Sequence, residues 1–515
     1  MITEIELALR PEEAAAFAQI SEKAASQLKI SQQRIHDIVP LKRSIDSRSR
    51  QVLIRLKAAV YVDEPFSPVK ITDGYQHVSL AEPVHIIGAG PAGLFAALEC
   101  LRSGRKPVVF ERGKDVKQRR RDLADINKKG VVNIESNYCF GEGGAGTYSD
   151  GKLYTRSTKR GDVQDVLRAF VGHGAPDDIL VDARPHIGTN KLPQIITAMR
   201  ETLLAHGGEI HFDKKLTGME VASGRIKSIT LNDTEKTGVK TVVLATGHSA
   251  RDIFYLLHES NVLIEAKPFA LGVRIEHPQQ VIDAAQYHCD IRSEFLPPAY
   301  YNLVEQVGGR GVFSFCMCPG GIIAPCATGE SEIVVNGWSP SKRNNPFANS
   351  GTVVQVGFPE VKDNGDPLRL LKFQEAVERK AFAAGGGNLV APAQRMVDFT
   401  QNKLSDDLPE NSYLPGTRSA DLHEVLPDFV AGSLQKALPV FGKKMRGYFT
   451  NEAILVGVES RTSSPVKIPR DRETFQHPGV AGLFPCGEGA GYAGGIVSAA
   501  IDGINCARAA VLQNR

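Results

Sequence analysis

The sequence of 515 residues lacks the features that mark membrane, secreted or polyanion-binding proteins. It has no apolar run long enough to cross a bilayer, and its first residues, which include Glu4, Glu6 and Glu12, contain no apolar stretch typical of a secretory signal. The formal net charge is only +3, so the total charge indicates no nucleic-acid partner. We therefore expect a cytoplasmic protein that does not associate with a membrane.

Cysteine is sparse and irregularly spaced. The eight cysteines are scattered among mostly apolar neighbours, which excludes the dense disulfide framework of a small secreted protein. No CxxC pair is present, and Cys316, Cys318 and Cys326 lack a fourth ligand for zinc. We predict no metal site.

What the sequence does contain is a strand, a glycine-rich turn and a helix in immediate succession over residues 84–100. In Gly88-x-Gly90-x-x-Gly93, the first glycine allows the tight turn and the second lets the backbone approach a pyrophosphate. The third lets the helix pack closely on the sheet. Glu111 ends the next apolar run, where dinucleotide-binding folds carry an acid that accepts the ribose hydroxyls. The pattern predicts a dinucleotide site whose phosphates lie at the helix N-terminus.

The length favours about three domains in an α/β protein. We predict a small N-terminal α+β module (1–80) and a Rossmann-like nucleotide-binding domain with a parallel sheet and a β-meander (81–265 plus 455–515). An inserted α+β domain with a mixed sheet (266–454) would hold the substrate. Residues 66–83 are predicted as a linker.

Hydrophobic patterns predict individual elements inside these regions. A strand over 2–8 and a helix over 11–28 are expected in the module, and period-two alternation over 52–62 predicts a half-buried strand. The meander is expected to include strands over 214–221, 225–231 and 240–244. The last of these leads into Ala245-Thr246-Gly247.

The C-terminal segment 482–498 resembles the FAD motif of glutathione-reductase-type flavoproteins. In those proteins an acid after the last strand bonds the ribityl or pyrophosphate side, and the next helix points its N-terminus at the pyrimidine edge of the flavin. Glu488 matches the acid, where many relatives have Asp, and Gly494, Gly495 and Ile496 match the helix start. The resemblance implies FAD, held without a covalent bond, rather than NAD.

More narrowly, the chain resembles a bacterial family of uncharacterised FAD-dependent dehydrogenases. The matching segments are 139–156, 313–321, 457–471 and 487–503. This resemblance implies redox chemistry and specifies no substrate. With the turns described above, it predicts a set of residues that contact FAD: Gly88, Gly90, Pro91, Ala92, Gly93, Glu111, Arg112, Gly144, Ala145, Gly146, Lys152, Leu216, Ala245, Thr246, Gly247, Gly487, Glu488, Gly494, Gly495 and Ile496.

No catalytic residue is assigned, and four candidates stay open. Lys152 is either a cation near the flavin or a substrate anion, or an ordinary surface lysine. Arg461 either clamps a substrate carboxylate or phosphate, or ties the insert to the nucleotide-binding domain. Cys316 and Cys318 are either a redox dithiol or small apolar residues of a strand. In an extended chain their spacing lies near the upper limit for a disulfide, and the disulfide reductases have CxxC or CxxxxC instead.

These observations predict an FAD-dependent oxidoreductase that transfers a hydride between flavin N5 and a small-molecule substrate. NAD(P)H would enter only transiently as an electron donor, because no second glycine-rich nucleotide turn follows a strand. An alternative is an FAD-containing protein that binds or modifies RNA, with Lys42, Arg43, Arg48 and Arg50 in the docking module. A third possibility is a flavoprotein scaffold without catalysis. Nothing in the sequence predicts the oligomeric state.

Overall fold

The computed structural model describes residues 1–67, 74–155 and 160–513. Part of the predicted linker (68–73) and Arg156 of the segment 139–156 therefore lie outside the described residues. No helix in the described part of the chain is long and apolar enough to cross a membrane.

The N-terminal residues form a three-stranded antiparallel sheet whose central strand is β3. Its elements are β1 (Ile2–Leu9), α1 (Pro11–Ala14), α2 (Phe17–Leu28), β2 (Ile35–Asp46) and β3 (Leu53–Val62). The single helix predicted over 11–28 is interrupted, because Ala16 adopts extended backbone angles before α2 begins.

A five-stranded parallel sheet forms the nucleotide-binding region, in the order β22-β10-β4-β5-β6. The strands are β4 (Pro83–Ile87), β5 (Lys106–Phe110), β6 (Glu209–His211), β10 (Val242–Leu244) and β22 (Leu483–Pro485). The helices of this region are α3 (Pro91–Arg102), α4 (Val116–Lys129), α5 (Val163–Gly172), α6 (Leu192–Ala205), α7 (Arg251–Glu259) and α13 (Ile496–Leu512). This arrangement confirms the predicted α/β class with a Rossmann-like parallel sheet.

The β-meander is present, but its third strand is not the predicted one. It consists of β7 (Leu216–Ala222), β8 (Arg225–Leu231) and β9 (Glu235–Gly238). The prediction of a meander strand over 240–244 was wrong, because that segment contains β10 of the parallel sheet. All three β10 residues are buried, as expected for a strand covered on both faces.

The insert is built on a seven-stranded mixed sheet in the order β13-β14-β17-β12-β20-β18-β19. Its strands are β12 (Phe269–Pro278), β13 (Val304–Val307), β14 (Arg310–Cys318), β17 (Phe347–Val356), β18 (Ala391–Arg395), β19 (Thr417–Ser419) and β20 (Ile454–Glu459). The short strands beside it are β11 (Glu265–Ala266), β15 (Ile322–Pro325), β16 (Val335–Trp338) and β21 (Val466–Lys467). The helices are α8 (Gln279–Tyr287), α9 (Arg369–Gly385), α10 (Met396–Thr400), α11 (Leu422–Val425) and α12 (Asp428–Lys444).

Strand β20 pairs with β12 and β18, so it belongs to the sheet of the insert. The predicted domain boundary between residues 454 and 455 falls inside β20 and would separate most of this strand from the sheet with which it pairs. We place the end of the insert after Glu459.

The N-terminal module packs on the insert. Leu7 and Leu9 of β1 belong to the same hydrophobic core as Phe269 and Val458 of the large sheet. On its other side the module contacts the nucleotide-binding region, where Arg43 makes a backbone bridge to residues 181–183.

Two of the four basic residues considered for RNA binding are paired within the chain. Arg43 Nε donates to Asp182 at 2.7 Å, and Arg48 makes two hydrogen bonds to the carboxylate of Asp46, each 2.8 Å long. Their charges are therefore compensated locally.

Candidate functional site

A cleft of about 1450 Å³ lies between the parallel sheet, the insert and the N-terminal module. Every residue predicted to contact FAD lines it except Gly93. Pockets for a single small ligand measure roughly 300–1,000 Å³, so this cleft has room for a dinucleotide and a second molecule. Arg43 and Ile45 of the module also line it, although no sequence pattern marks them as cleft residues.

The three glycines of the first turn differ in what surrounds them. Gly88 has a φ of +102°, and a Cβ there would lie 2.5 Å from the carbonyl oxygen of Ala245. A Cβ on Gly93 would lie 1.8 Å from the carbonyl oxygen of Gly88. A Cβ on Gly90 would meet only the Cα of Gly144, at 3.8 Å. The fold itself thus requires Gly88 and Gly93, while Gly90 borders open space of the cleft.

Two helices begin at the cleft without a side-chain cap. The residue before α3 is Gly90 and the residue before α13 is Gly495, and no side chain hydrogen-bonds the first turn from either position. A Cβ on Gly247, Gly494 or Gly495 would have no atom within 4 Å. Backbone N–H groups at a helix N-terminus that borders open space suit negatively charged ligand groups. The residues present therefore fit a dinucleotide with a pyrophosphate.

Glu111 is a buried carboxylate that organises this part of the cleft. It accepts hydrogen bonds from the backbone N–H groups of Ala89 at 2.8 Å, Gly113 at 2.9 Å and Gly141 at 2.9 Å. It thereby holds together the turn after β4, the turn after β5 and the segment 141–152, which we call the glycine-rich loop. Its predicted contact with ribose stays a prediction.

The glycine-rich loop crosses the first turn. A Cβ on Gly144 would lie 3.0 Å from the Cα of Gly90, so the two backbones touch. The Thr147 hydroxyl donates to the carbonyl of Glu142 at 2.7 Å, and the Ser149 hydroxyl donates to Gly146 at 2.8 Å. Both hydroxyls therefore donate hydrogen bonds within the loop.

Two other predicted contact residues have partners of their own. The Arg112 guanidinium lies 2.6 Å from Glu135 and 2.8 Å from Asp252, and it stacks on Phe140. Its charge is therefore balanced within the fold. Leu216 begins β7 and is buried at the cleft wall.

Glu488 lies where the C-terminal motif predicts it, beside the start of α13. Its carboxylate accepts a hydrogen bond from the N–H of Gly495. Burial raises the pKa of Glu488, and the nearby Lys267 opposes that shift. The His248 ring lies 3.5 Å from the same carboxylate, and burial lowers its pKa to about 3. At neutral pH His248 is therefore an uncharged group in the cleft wall.

A charged cluster that sequence reasoning missed surrounds Asp150. The Asp150 carboxylate lies 3.3 Å from Arg343, 3.5 Å from His186 and 3.7 Å from Lys152. Burial alone would raise the pKa of Asp150, but the cations Lys152 and Arg343 outweigh it and lower the value to about 2. Burial lowers the pKa of His186 to about 4. At neutral pH the cluster holds an aspartate, two cations and a neutral histidine.

Lys152 also reaches the insert. Its ammonium lies 3.4 Å from the sulfur of Cys318 and 3.8 Å from the sulfur of Cys316, both on β14. Burial lowers the pKa of Lys152, but Asp150 and the two cysteine sulfurs together outweigh burial, and the value lies above its ordinary one. Three of the four candidate residues thus meet where the nucleotide-binding region faces the insert.

The surroundings of the fourth candidate, Arg461, favour the second of its two predicted roles. Its guanidinium lies 2.6 Å from Glu332 and 3.2 Å from Glu378, and it donates to Thr328 at 2.7 Å. Arg251 of α7 pairs with the same two glutamates. Arg461 is committed to this buried network and is not available to clamp a substrate anion, so it ties the insert to the nucleotide-binding domain.

One group of potential metal ligands occurs in the described residues. Ligand atoms of Cys486, Asp502 and Cys506 all lie within 4.8 Å of one another. The Arg470 guanidinium contacts Asp502 at 2.6 Å and the Cys506 sulfur at 3.2 Å. The Arg470 guanidinium thus already supplies a positive charge to this cluster, and the cluster gives no reason to infer a metal.

Two family models match parts of the chain. Residues 268–462 match the C-terminal domain-like region of FAD-dependent proteins. Residues 1–61 match a domain of unknown function. An uncharacterized protein of Clostridium beijerinckii is 40% identical over 510 residues, which cover 95% of each chain.

Solved structures align more weakly. The structure of CtdE in complex with FAD is 10% identical, with a TM-score of 0.32, over 84% of this chain and 83% of its own. Thioredoxin reductase from Lactococcus lactis is 19% identical, with a TM-score of 0.19, and the match spans 32% of this chain and 35% of the reductase.

Proposed function

Because residues 268–462 match the C-terminal domain-like model of FAD-dependent proteins, we propose that the chain, like the family it forms with its Clostridium beijerinckii relative, is an FAD-dependent oxidoreductase. One observation supports this most directly. Residues from both ends of the nucleotide-binding region, from Gly88 to Ile496, line a single cleft with two uncapped helix N-termini.

The N-termini of α3 and α13 would hold different parts of FAD. The first-turn N–H groups of α3 bind the pyrophosphate of FAD, held without a covalent bond. The N-terminus of α13 places a positive dipole end where negative charge develops on a reduced flavin. When bound, FAD supplies the acceptance and donation of a hydride, and the protein supplies binding, orientation and charge.

The substrate is proposed to bind at the other end, between Lys152 and the insert. Lys152 provides a fixed positive charge there, because Asp150 keeps it protonated. The wall also carries Tyr300, Tyr301 and Trp338, which suit an apolar or aromatic body. We infer a small organic substrate and a transient donor such as NAD(P)H.

The test is to purify the chain, release any FAD with heat or acid, and mix the holoprotein anaerobically with NADH, NADPH or dithionite. We expect one releasable FAD per chain, bleached by dithionite and by at least one of the two nicotinamides. A chain that binds no FAD would overturn the proposal. Bound FAD that dithionite cannot reduce would point to a scaffold. Reduction by dithionite alone would exclude a nicotinamide as donor.

A further inference from the structure

Strand β14 contains a bulge at its two cysteines. Its pairing with β17 runs from Phe315 opposite Gly351 to Cys318 opposite Asn349, so β14 has one residue more than its partner. The extra residue leaves Cys316 with a φ of +49°, an uncommon value for a residue other than glycine. Bulges of this kind bend a strand and redirect its side chains.

The bulge removes the geometric objection to a bond between the two cysteines. That objection assumed an extended chain, in which the Cα atoms of residues 316 and 318 are near the limit for a disulfide. The bulge departs from that extended geometry. The Cys318 sulfur lies 3.3 Å from the carbonyl oxygen of Cys316, so the segment folds back on itself.

Both sulfurs contact one ammonium group. Lys152 lies within 3.8 Å of each of them, and the Arg274 guanidinium lies 3.4 Å from the Cys318 sulfur. Arg274 is fully buried and is held by Glu459 at 3.0 Å. Positive charge next to a thiol favours the thiolate, which is the nucleophilic form.

The two cysteines differ in access. Cys316 is exposed and lines the cleft, while Cys318 is fully buried behind it. Burial raises the pKa of Cys318 to about 11, although Lys152 opposes the shift. An accessible outer sulfur and a protected inner sulfur are the arrangement that stepwise thiol–disulfide exchange needs.

We propose that Cys316 and Cys318 form a dithiol–disulfide couple that exchanges with small disulfides and dithiols in the cleft. This activity goes beyond the proposed oxidoreductase function and does not depend on bound FAD. Lys152 acts as its positioning residue by stabilising the attacking thiolate.

The exchange proceeds in two steps, and each step forms one S–S bond and breaks another. The Cys316 sulfur attacks one sulfur of a small disulfide RSSR, which forms a mixed disulfide and releases one RSH. The Cys318 sulfur then attacks the Cys316 sulfur and releases the second RSH. The protein dithiol loses two electrons and two protons, and the two RSH molecules carry them away.

The experiment uses the reduced full-length protein and dithiodipyridine, a disulfide whose released thiopyridone absorbs light. In the wild type we expect a fast phase that releases two thiopyridones, followed by a peptide in which Cys316 and Cys318 are linked. Cys318→Ser should release one in that phase and keep a stable mixed disulfide on Cys316. Cys316→Ser should lose the fast phase. Lys152→Met should slow it severalfold near neutral pH, because the ammonium that contacts both sulfurs is lost.

Cys139→Ser is the matched control, since Cys139 lines the same cleft and should leave the fast phase unchanged. Each variant is compared with the wild type by melting temperature, so that unfolding is not mistaken for lost reactivity. Two results would overturn the proposal: separate labels on Cys316 and Cys318 without a linked peptide, or a fast phase that persists in Cys316→Ser. A fast phase unchanged in Lys152→Met would also overturn the role of that lysine.

Discussion

The three glycines of the first turn are required for different reasons. Gly88 and Gly93 are required by the protein's own backbone, since a Cβ at either position would collide with a carbonyl oxygen. Gly90 has ordinary backbone angles and room for a side chain. Only a ligand in the cleft gives a reason for glycine at position 90.

Gly90→Val should therefore separate folding from cofactor binding. We expect the variant to fold with a melting temperature near that of FAD-free wild type, because the empty cleft has room for the new side chain. It should bind FAD at least 100-fold more weakly, since a branched side chain occupies the place of the pyrophosphate. Fluorescence titration with FAD measures the affinity, and circular dichroism checks the fold.

Gly93→Ala is the contrasting variant. Its methyl group would lie against the Gly88 carbonyl, so we expect loss of folded protein rather than selective loss of FAD. Full FAD retention in Gly90→Val would show that the phosphates lie elsewhere.

At this scale the sequence revealed only those residues that stand in a local pattern. Gly88, Glu111 and Glu488 follow strands at fixed distances, so they could be predicted. His186 and Arg343 come from separate loops and join Asp150 only when the chain folds. No spacing marks them in the sequence. Arg461 was ambiguous for the same reason, because its two glutamates are distant in the sequence.

Among whole elements, strands with clear periodicity were predicted well and their partners were not. Alternation located β3, and the apolar run before Gly88 located β4. The 240–244 strand was assigned to the meander because it follows the meander strands in the chain. In the structure all residues of β10 are buried, as expected for a strand of a parallel sheet that is covered on both faces. The strand β20 returns to the insert through pairing with β12, which local composition cannot show.

Helices α7 and α9 are joined by charge rather than by apolar packing alone. Arg251 of α7 lies 2.6 Å from Glu378 of α9, and Arg461 lies 3.2 Å from the same carboxylate. The Glu378 side chain is fully buried. Removing one partner of a buried ionic group leaves uncompensated charge behind.

Glu378→Gln should destabilise the chain by about 3–5 kcal/mol, because it leaves Arg251 and Arg461 with one carboxylate less between them. Urea unfolding measures the change. Arg379→Gln on the same helix is the control, since the Arg379 side chain is 59% exposed and its pair with Glu375, 3.8 Å long, should contribute less than about 1 kcal/mol. Equal effects of the two substitutions would mean that the network does not hold the domains together.

Taken as a whole molecule, the chain has three parts that meet around one cleft. The N-terminal module contributes to the cleft wall and shares its apolar core with the insert, although the two are far apart in sequence. The single tryptophan, Trp338, belongs to the insert. The fluorescence of Trp338 therefore reports on the unfolding of the insert.

Leu9→Ala in the module should lower the temperature at which Trp338 fluorescence changes. Leu9 is fully buried, and a buried leucine truncated to alanine costs about 2–5 kcal/mol. We expect a decrease of roughly 5–15 °C for a unit of this size. Leu41→Ala, at a side chain 40% exposed on β2, should change the temperature by less than roughly 2 °C. An unchanged Trp338 transition in Leu9→Ala would show that the module unfolds independently.

The shared core also imposes an order on biosynthesis. Leu9 is translated before the insert, and the members of its core that lie in the insert extend from Phe269 to Val458. At about 5–20 residues per second, the last of them is translated roughly 20–90 s after Leu9. For that interval the apolar face of the first sheet lacks its contacts with the insert, and a nascent chain with an incomplete core is a substrate for chaperones. A module that is translated before the insert thus completes its native burial only after the insert has been made.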